Sequence, residues 1–164
     1  CRVQMMRDLG AIMSPENAFM TNLGMETLAL RMERHSSNAS KVAEYLSKHP
    51  KIEWIKYGSL ESDPYHALAK KYMPNGQGGM LSFGVKGGSE AATVVMEGMK
   101  MIAIVTHVAD VRSCVLHPAS TTHRQLSKQD LENIGIADNL IRLSVGIENI
   151  DDIIADLEGA LSKI

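Results

Sequence analysis

The first third of the chain consists mostly of good helix formers, and apolar residues recur at helical spacing at Ala39, Val42, Ala43 and Leu46. Ser14 and Pro15 predict a helix start, because Ser14 can cap the first turn and Pro15 lacks the N–H that would be left unpaired there. The helical pattern continues as far as Leu46, and a bend or split is predicted at Gly24 and at the polar residues 36–38. The helix is expected to end before Pro50, since the residue preceding a proline disfavours helical backbone.

Strand-length apolar runs follow, separated by turns and shorter helical stretches. The predicted strands cover residues 52–57, 80–85, 101–105, 113–116 and 140–145. Predicted helices cover residues 64–72 and 88–99, and Asn149 caps a last helix with an apolar stripe of Ile150, Ile153, Ile154, Leu157 and Leu161. The predicted strands and helices alternate at spacings too short for a full series of parallel βαβ units. The sequence therefore predicts an α/β fold of the α+β sandwich type, with a small, mainly antiparallel sheet covered by helices on one face.

Composition fits a single globular domain over residues 1–164. Of the 164 residues, 45% are hydrophobic and 22% are charged, and a chain of this length can bury a core without disulfide or metal staples. No apolar run reaches the roughly 20 residues needed to cross a bilayer. The net charge is −2 and the basic residues are scattered, which argues against nucleic-acid binding. Two cysteines are too few for a secreted disulfide framework, so a cytoplasmic location is expected.

Polar residues concentrate at residues 117–123, which read His-Pro-Ala-Ser-Thr-Thr-His and directly follow a predicted strand. Loops after strands often carry functional groups. The spacing of His117 and His123 matches no zinc motif, and Ser120 lacks the sequence context of a nucleophilic serine, so no metal site is predicted. Two interpretations of this segment remain open: a turn with structural histidines and hydroxyl groups, or a functional site.

Arg142 is the one charged residue within the apolar run at residues 140–145. Strand alternation places it on the same face as Leu140 and Ser144. Burying an unpaired guanidinium is strongly unfavourable, so Arg142 must meet an anionic or carbonyl group. The partner is either an internal Asp or Glu or the carboxylate of a ligand, which a planar guanidinium can bind bidentately. The pattern alone leaves both alternatives open.

Four ordered sequence blocks carry a resemblance to one enzyme family. They read Leu-Gly-Ala-Ile-Met-Ser-Pro-Glu-Asn-Ala at residues 9–18, Gly-Met-Glu-Thr-Leu-Ala-Leu-Arg-Met-Glu-Arg-His at 24–35, the segment at 117–123, and Ile-Arg-Leu-Ser-Val-Gly-Ile-Glu at 141–148. Together they resemble the C-terminal part of the pyridoxal-phosphate enzymes of Cys/Met metabolism. This family includes cystathionine synthases and lyases, methionine γ-lyases and O-acetylhomoserine sulfhydrylases, and the blocks resemble the sulfhydrylases most.

The resemblance also implies what this stretch lacks. Family members bind pyridoxal 5'-phosphate through a lysine in a Ser-x-Thr-Lys sequence of a large domain, and none of the ten lysines here has that context. The chain thus resembles the small C-terminal domain of the family's fold, with residues 1–48 as a helical connection from a large domain that binds most of the cofactor. The start at Cys1 fits this expectation, and the stretch alone is expected to be inactive.

By the same resemblance, Arg142 binds the α-carboxylate of the substrate, which favours the ligand among the two alternatives above. Thr122 is implied to orient Arg142 by a hydrogen bond. Residues 106–110 take the position of a carboxylate-binding loop, in which His107 replaces the family's usual Ser or Asn and Ala109 its usual Gly. The backbone N–H of Val108 is the contact expected to be kept, whereas His107 either contacts substrate or lies in solvent.

The activity implied for the longer protein is γ-replacement. O-acetyl-L-homoserine and sulfide give L-homocysteine and acetate, a step of methionine biosynthesis. The alternatives are a methionine γ-lyase or a cystathionine γ-synthase or lyase and, outside the family, a stand-alone α/β interaction domain whose Arg142 pairs internally. The implied partners are an amino-acid substrate, sulfide or another sulfur donor, and further copies in a homotetramer.

Overall fold

The computed structural model describes residues 2–108 and 110–164. Cys1 and Ala109, with the expectations placed on them, lie outside the described residues. The chain divides into two compact units, one up to Arg31 and one from Met32 onward. The predicted site residues all belong to the second unit.

The first unit consists mainly of helix. A π-helical segment, Arg2–Met6, runs into α1 (Arg7–Leu9), and α2 (Pro15–Glu26) follows. Ser14 Oγ accepts a hydrogen bond from the Asn17 N–H at 3.3 Å, which confirms the predicted N-cap. All residues of α2 are described, and none of them is buried.

The long predicted helix divides at Thr27 and not at residues 36–38. Helix α3 (Leu28–Lys48) passes through Ser36 and Asn38 without a break. Ser36 Oγ accepts a backbone N–H of the glycine-rich turn before the second strand, and Asn38 Nδ2 donates to two carbonyls of residues 146–148. Because these side chains have partners outside the helix, they do not compete with its own backbone hydrogen bonds.

The second unit is built on a five-stranded sheet. Its strands are β1 (Ile52–Lys56), β2 (Met80–Val85), β3 (Ala103–Ile104), β4 (Cys114–Leu116) and β5 (Leu140–Ser144). They lie in the order β1-β2-β5-β4-β3, and each neighbouring pair is antiparallel except β3 and β4. The prediction of a small, mainly antiparallel sheet is confirmed.

Strand β3 is shorter than the apolar run at residues 101–105 predicted. The Asp156 carboxylate accepts the backbone N–H groups of Lys100, Met101 and Ile102 at 2.7, 3.0 and 2.9 Å. A carboxylate that binds these donors leaves none of them for a neighbouring strand. Pairing with β4 therefore begins only at Ala103.

The core lies between the sheet and the helices α3, α5 (Gly88–Gly98) and α7 (Ile150–Leu161). Every second residue of the central strands enters it, namely Leu81, Phe83 and Val85 in β2 and Ile141 and Leu143 in β5. Asn149 Oδ1 accepts the Asp151 N–H at 3.1 Å, so the predicted cap of α7 is confirmed. The sheet face that carries the residues between these core positions is the one that presents Arg142.

Two short α-helices, α4 (His66–Tyr72) and α6 (Lys128–Asn133), and a 3₁₀ helix at Pro118–Ser120 complete the unit. The first lies within the predicted helix at residues 64–72, whereas α6 was not predicted. Ser127 Oγ accepts the Asp130 N–H at 3.2 Å and donates to the Asp130 carboxylate at 2.6 Å. This Ser-x-x-Asp spacing is the sequence signal that could have located α6.

Among the helices that the structure describes, none has the length and apolar character that crossing a membrane requires.

Candidate functional site

Arg142 lies in the middle of β5, on the sheet face opposite the core. Its neighbours across the sheet are Ser82 in β2 and Leu116 in β4. Ile141 and Leu143, on either side of it in sequence, are fully buried in the core, so strand alternation turns Arg142 to the other face. Its side chain is partly exposed there. A ligand can therefore reach the guanidinium without disturbing the core.

The guanidinium contacts a carbonyl and not an acid. Nη2 of Arg142 donates to the Thr106 carbonyl at 3.1 Å. Across the described residues, no salt bridge involves Arg142. A guanidinium has five N–H donors, so this single contact leaves donors for a ligand. The arrangement favours the ligand among the two alternatives that the sequence left open.

Thr122 does not take the partner that the resemblance implied. Its Oγ1 lies 2.9 Å from His123 Nδ1 on the surface, whereas Arg142 is held by the Thr106 carbonyl. The adjacent Thr121 is the threonine that turns inward, since its Oγ1 donates to the His117 carbonyl at 2.7 Å. The expected hydrogen bond between Thr122 and Arg142 is thus replaced by these local contacts of the turn.

His117 has a structural role. It is fully buried, with Nε2 at 2.6 Å from the Asp138 carbonyl and Nδ1 at 2.8 Å from Ser120 Oγ. A carbonyl can only accept, so Nε2 carries a proton and, in the neutral ring, Nδ1 accepts from the Ser120 hydroxyl. Both nitrogens are therefore used, Nδ1 within the turn and Nε2 towards the segment before β5. In the described part of the chain, no group of three or more His, Cys, Asp or Glu side chains could hold a metal ion.

The segment after β3 carries His107 and Val108 and is held at two successive carbonyls. Arg142 donates to the Thr106 carbonyl at 3.1 Å, and Cys114 Sγ donates to the His107 carbonyl at 3.2 Å. The side chains of His107 and Val108 are both more than half exposed, at 59% and 56%. The backbone is thus fixed to β4 and β5 while both side chains remain open to a ligand.

Cys114, which makes one of these contacts, is a poor candidate for a nucleophile. It is buried in β4, and burial raises the pKa of its thiol. Because the thiolate is the reactive form, a thiol with a raised pKa reacts slowly.

Sequence reasoning missed the carboxylate that organises this loop. Asp110 Oδ1 accepts the Arg112 N–H at 3.1 Å, and Oδ2 lies 3.1 Å from Arg112 Nη2 and 3.5 Å from His107 Nδ1. These hydrogen bonds, those from Arg112 above all, hold the pKa of the Asp110 carboxyl well below its usual range. The Asp-x-Arg spacing was the available signal, because an aspartate can accept the N–H two residues on.

A polar cluster joins the segment before β4 to the segment after β5. Ser113 is fully buried; its Oγ donates to Glu148 Oε2 at 2.9 Å and accepts the Gly146 N–H at 2.8 Å. The Ser113 N–H donates to Glu148 Oε1 at 2.5 Å. These bonds fix the ends of the two strands that position Cys114 and Arg142. Glu148 belongs to a resemblance block, but sequence alone assigned it no role.

Replacing Ser113 by alanine is expected to lower the free energy of unfolding by about 1–3 kcal/mol, because it leaves the Gly146 N–H and one Glu148 oxygen without this partner. Chemical denaturation measures the change. Ser162→Ala is the matched control, since Ser162 Oγ donates to the Gly159 carbonyl at 2.8 Å on the surface. An equal loss of unfolding free energy in both variants would show that burial of the cluster adds nothing to the stability of the protein.

Comparisons with known proteins agree over nearly the whole chain. A family profile described as Cys/Met metabolism PLP-dependent enzyme matches residues 2–162. The chain is 50% identical over 164 residues to an O-acetyl-L-homoserine sulfhydrylase of Leptospira meyeri. It is 48% identical over 161 residues to a homocysteine synthase of Schizosaccharomyces pombe and 47% identical over 155 residues to an L-methionine gamma-lyase of Fusobacterium nucleatum subsp. polymorphum. These matches cover 99%, 98% and 94% of the chain.

A crystal structure shows the same likeness in three dimensions. It is described as an O-acetylhomoserine (thiol)-lyase from Campylobacter jejuni with N'-pyridoxyl-lysine-5'-monophosphate, and it superposes with a TM-score of 0.89 at 45% identity. The match covers 98% of this chain and 38% of that one. The three relatives above are likewise covered over only 37%, 38% and 39% of their lengths. The chain thus spans less than two fifths of the proteins it resembles.

Proposed function

Because this chain belongs to the family of Cys/Met metabolism PLP-dependent enzymes, we propose that it is the substrate-carboxylate-binding, C-terminal part of an O-acetylhomoserine sulfhydrylase. The proposed reaction of the whole protein converts O-acetyl-L-homoserine and sulfide into L-homocysteine and acetate, in methionine biosynthesis. The observation that carries the proposal is Arg142, a reachable guanidinium with a carbonyl contact and no acidic partner among the described residues. The names of two relatives support the choice of reaction.

The residues around Arg142 are suited to bind the substrate of a pyridoxal-phosphate enzyme. They are less suited to hold the cofactor covalently. Attachment needs a lysine amine, and residues 101–127 and 129–162 contain no lysine. We propose that the cofactor is held mainly by a large domain outside this sequence, to which residues 1–48 connect. When bound, pyridoxal phosphate supplies an electron sink for bonds at the substrate's Cα.

The proposed contribution of this chain is to bind and orient the substrate. A bidentate pair between Arg142 and the α-carboxylate fixes both the position and the rotation of an amino acid. Fixing a reactant in this way removes a large entropic part of a reaction barrier. His107 and Val108 directly follow Thr106, whose carbonyl accepts from Arg142, and we propose that they line the bound carboxylate, the backbone N–H of Val108 above all. We propose that Thr122, in the exposed turn, also contributes to substrate binding.

Four further properties are part of the proposal. The full protein acts as a homotetramer in the cytoplasm, it takes sulfide from solution or from a sulfur donor, and residues 1–164 alone are inactive. Inactivity is expected because the stretch contains the carboxylate-binding arginine but no candidate lysine beside it.

The test is an assay of the full-length protein loaded with pyridoxal phosphate. With O-acetylhomoserine and sulfide we expect homocysteine and acetate in equal amounts, and with residues 1–164 alone we expect neither. The second candidate is methionine γ-lyase, which the 47% identical relative favours. Faster release of methanethiol from methionine than formation of homocysteine would establish this second activity instead.

A further inference from the structure

We propose that Asp110 is a specificity-determining residue. It binds the two basic side chains near Arg142, those of Arg112 and His107, and the site thereby selects substrates with a single carboxylate. The inference rests on the proposed function, in which Arg142 binds the α-carboxylate. It goes further because it names the class of substrate that the site rejects, namely homoserine esters whose acyl group carries a second carboxylate.

Asp110 is the centre of a cluster of three side chains. Its carboxylate lies 3.1 Å from Arg112 Nη2, 3.4 Å from Arg112 Nε and 3.5 Å from His107 Nδ1. The side chain of Asp110 is 22% exposed, whereas those of Arg112 and His107 are 73% and 59% exposed. The two basic groups thus face solvent, and the acid that binds them lies beneath them.

This cluster is adjacent to the proposed carboxylate site. Arg142 donates to the carbonyl of Thr106, which immediately precedes His107. The Cys114 thiol donates to the His107 carbonyl, and Leu116 in the same strand β4 pairs directly with Arg142. The cluster and the guanidinium of Arg142 therefore share one neighbourhood.

The charged side chains near Arg142 determine which groups a second carboxylate of a substrate would contact. Arg142 keeps donors for a ligand, while Arg112 and His107 are engaged by Asp110. The remaining nearby acid, Glu148, is bound by Ser113. A second carboxylate would have to displace Asp110 from Arg112 or remain unpaired beside an anion. Like-charge contacts of this kind are a general means of rejecting a ligand.

The experiment compares two esters in the full-length holoenzyme, with sulfide as the common nucleophile. The measured quantity is kcat/KM for O-succinyl-L-homoserine divided by kcat/KM for O-acetyl-L-homoserine. Asp110→Asn is expected to raise this ratio about fivefold, the factor that corresponds to one exposed ion pair. Adding Arg112→Gln to Asp110→Asn is expected to return the ratio towards the wild-type value, because the released cation is then gone.

Asp63→Asn is the matched control, since Asp63 accepts the Tyr65 N–H at 2.9 Å in the same two-residue turn pattern and has no basic partner in the part of the chain that the structure describes. It is expected to leave the ratio unchanged. Arg112→Gln alone tests the idea if Asp110→Asn folds poorly, and it is expected to lower the ratio because Asp110 then faces the ligand with one partner fewer. Unchanged ratios in folded Asp110→Asn and Arg112→Gln holoenzymes would overturn the inference. If the wild-type holoenzyme turns over neither ester, it is the proposed function that fails.

Discussion

Arg142→Gln in the full-length holoenzyme is expected to lower kcat/KM for O-acetylhomoserine about 100- to 1000-fold, mainly through KM. Truncating one partner of a close charge pair typically costs about 2–5 kcal/mol, and a neutral amide cannot replace a bidentate guanidinium. The fold should survive, because the Arg142 side chain makes a single hydrogen bond among the described residues, to the Thr106 carbonyl. Steady-state kinetics and thermal denaturation of the same preparation measure both effects.

Two variants make the result specific. Arg142→Lys keeps the charge but loses the planar fork, so an intermediate KM is expected. Arg124→Gln removes an exposed arginine of the turn that follows residues 117–123, and it should leave KM unchanged. If Arg142→Gln unfolds and its surviving fraction has the wild-type KM, then Arg142 is structural and the carboxylate assignment is wrong.

Gly146→Ala is expected to destabilise the second unit by about 3 kcal/mol or more. A Cβ at this position would lie 2.5 Å from the Ser113 N atom and 2.5 Å from the Val111 carbonyl O, and also against the Glu148 carboxylate. The first two atoms are backbone and cannot rotate away, so the strand ends would have to separate. Overpacking a closely packed region typically costs about 1–3 kcal/mol, and more where backbone must move.

Gly159→Ala is the control for this prediction. Gly159 lies within α7, and an added Cβ there meets no atom within 4 Å. Since glycine is less favourable than alanine inside a helix, this change is expected to stabilise the protein by about 0.5–1 kcal/mol. Equilibrium denaturation of both variants gives the comparison, and a Gly146→Ala protein as stable as the wild type would refute the close approach of the two strand ends.

The periodic elements were predictable because their signals are local. Helices α3 and α7 follow from apolar spacing, and the starts of α2 and α7 follow from the caps at Ser14 and Asn149, which both form as expected. Each of the five strands lies within one of the five apolar runs. Helix α6 was missed although its cap signal is local. Two other differences share one cause, a distant partner. Asp156 binds the N–H groups before β3, and residues 146–148 bind Asn38 in α3.

For the site, strand alternation along β5 predicted that Arg142 faces away from the core. The family resemblance indicated residues 106–110 as a candidate binding loop. Neither could identify the carbonyl that holds the guanidinium, since Thr106 lies 36 residues away in sequence. The resemblance implied that Thr122 orients Arg142, whereas Thr122 Oγ1 lies beside His123 Nδ1 and the Arg142 guanidinium donates to the Thr106 carbonyl.

By itself, then, the sequence determined most of the helices and strands, the caps at Ser14 and Asn149 and the face of β5 that carries the charged residue. These properties depend on neighbours within a few positions along the chain. The contacts of Asp110 with Arg112 and His107 are local in the same sense. The tertiary structure alone decided that Arg142 keeps donors for a ligand and that Ser113 and Glu148 join the two strand ends. Contacts of this kind depend on strand order and register, because these bring residues far apart in sequence within hydrogen-bonding distance.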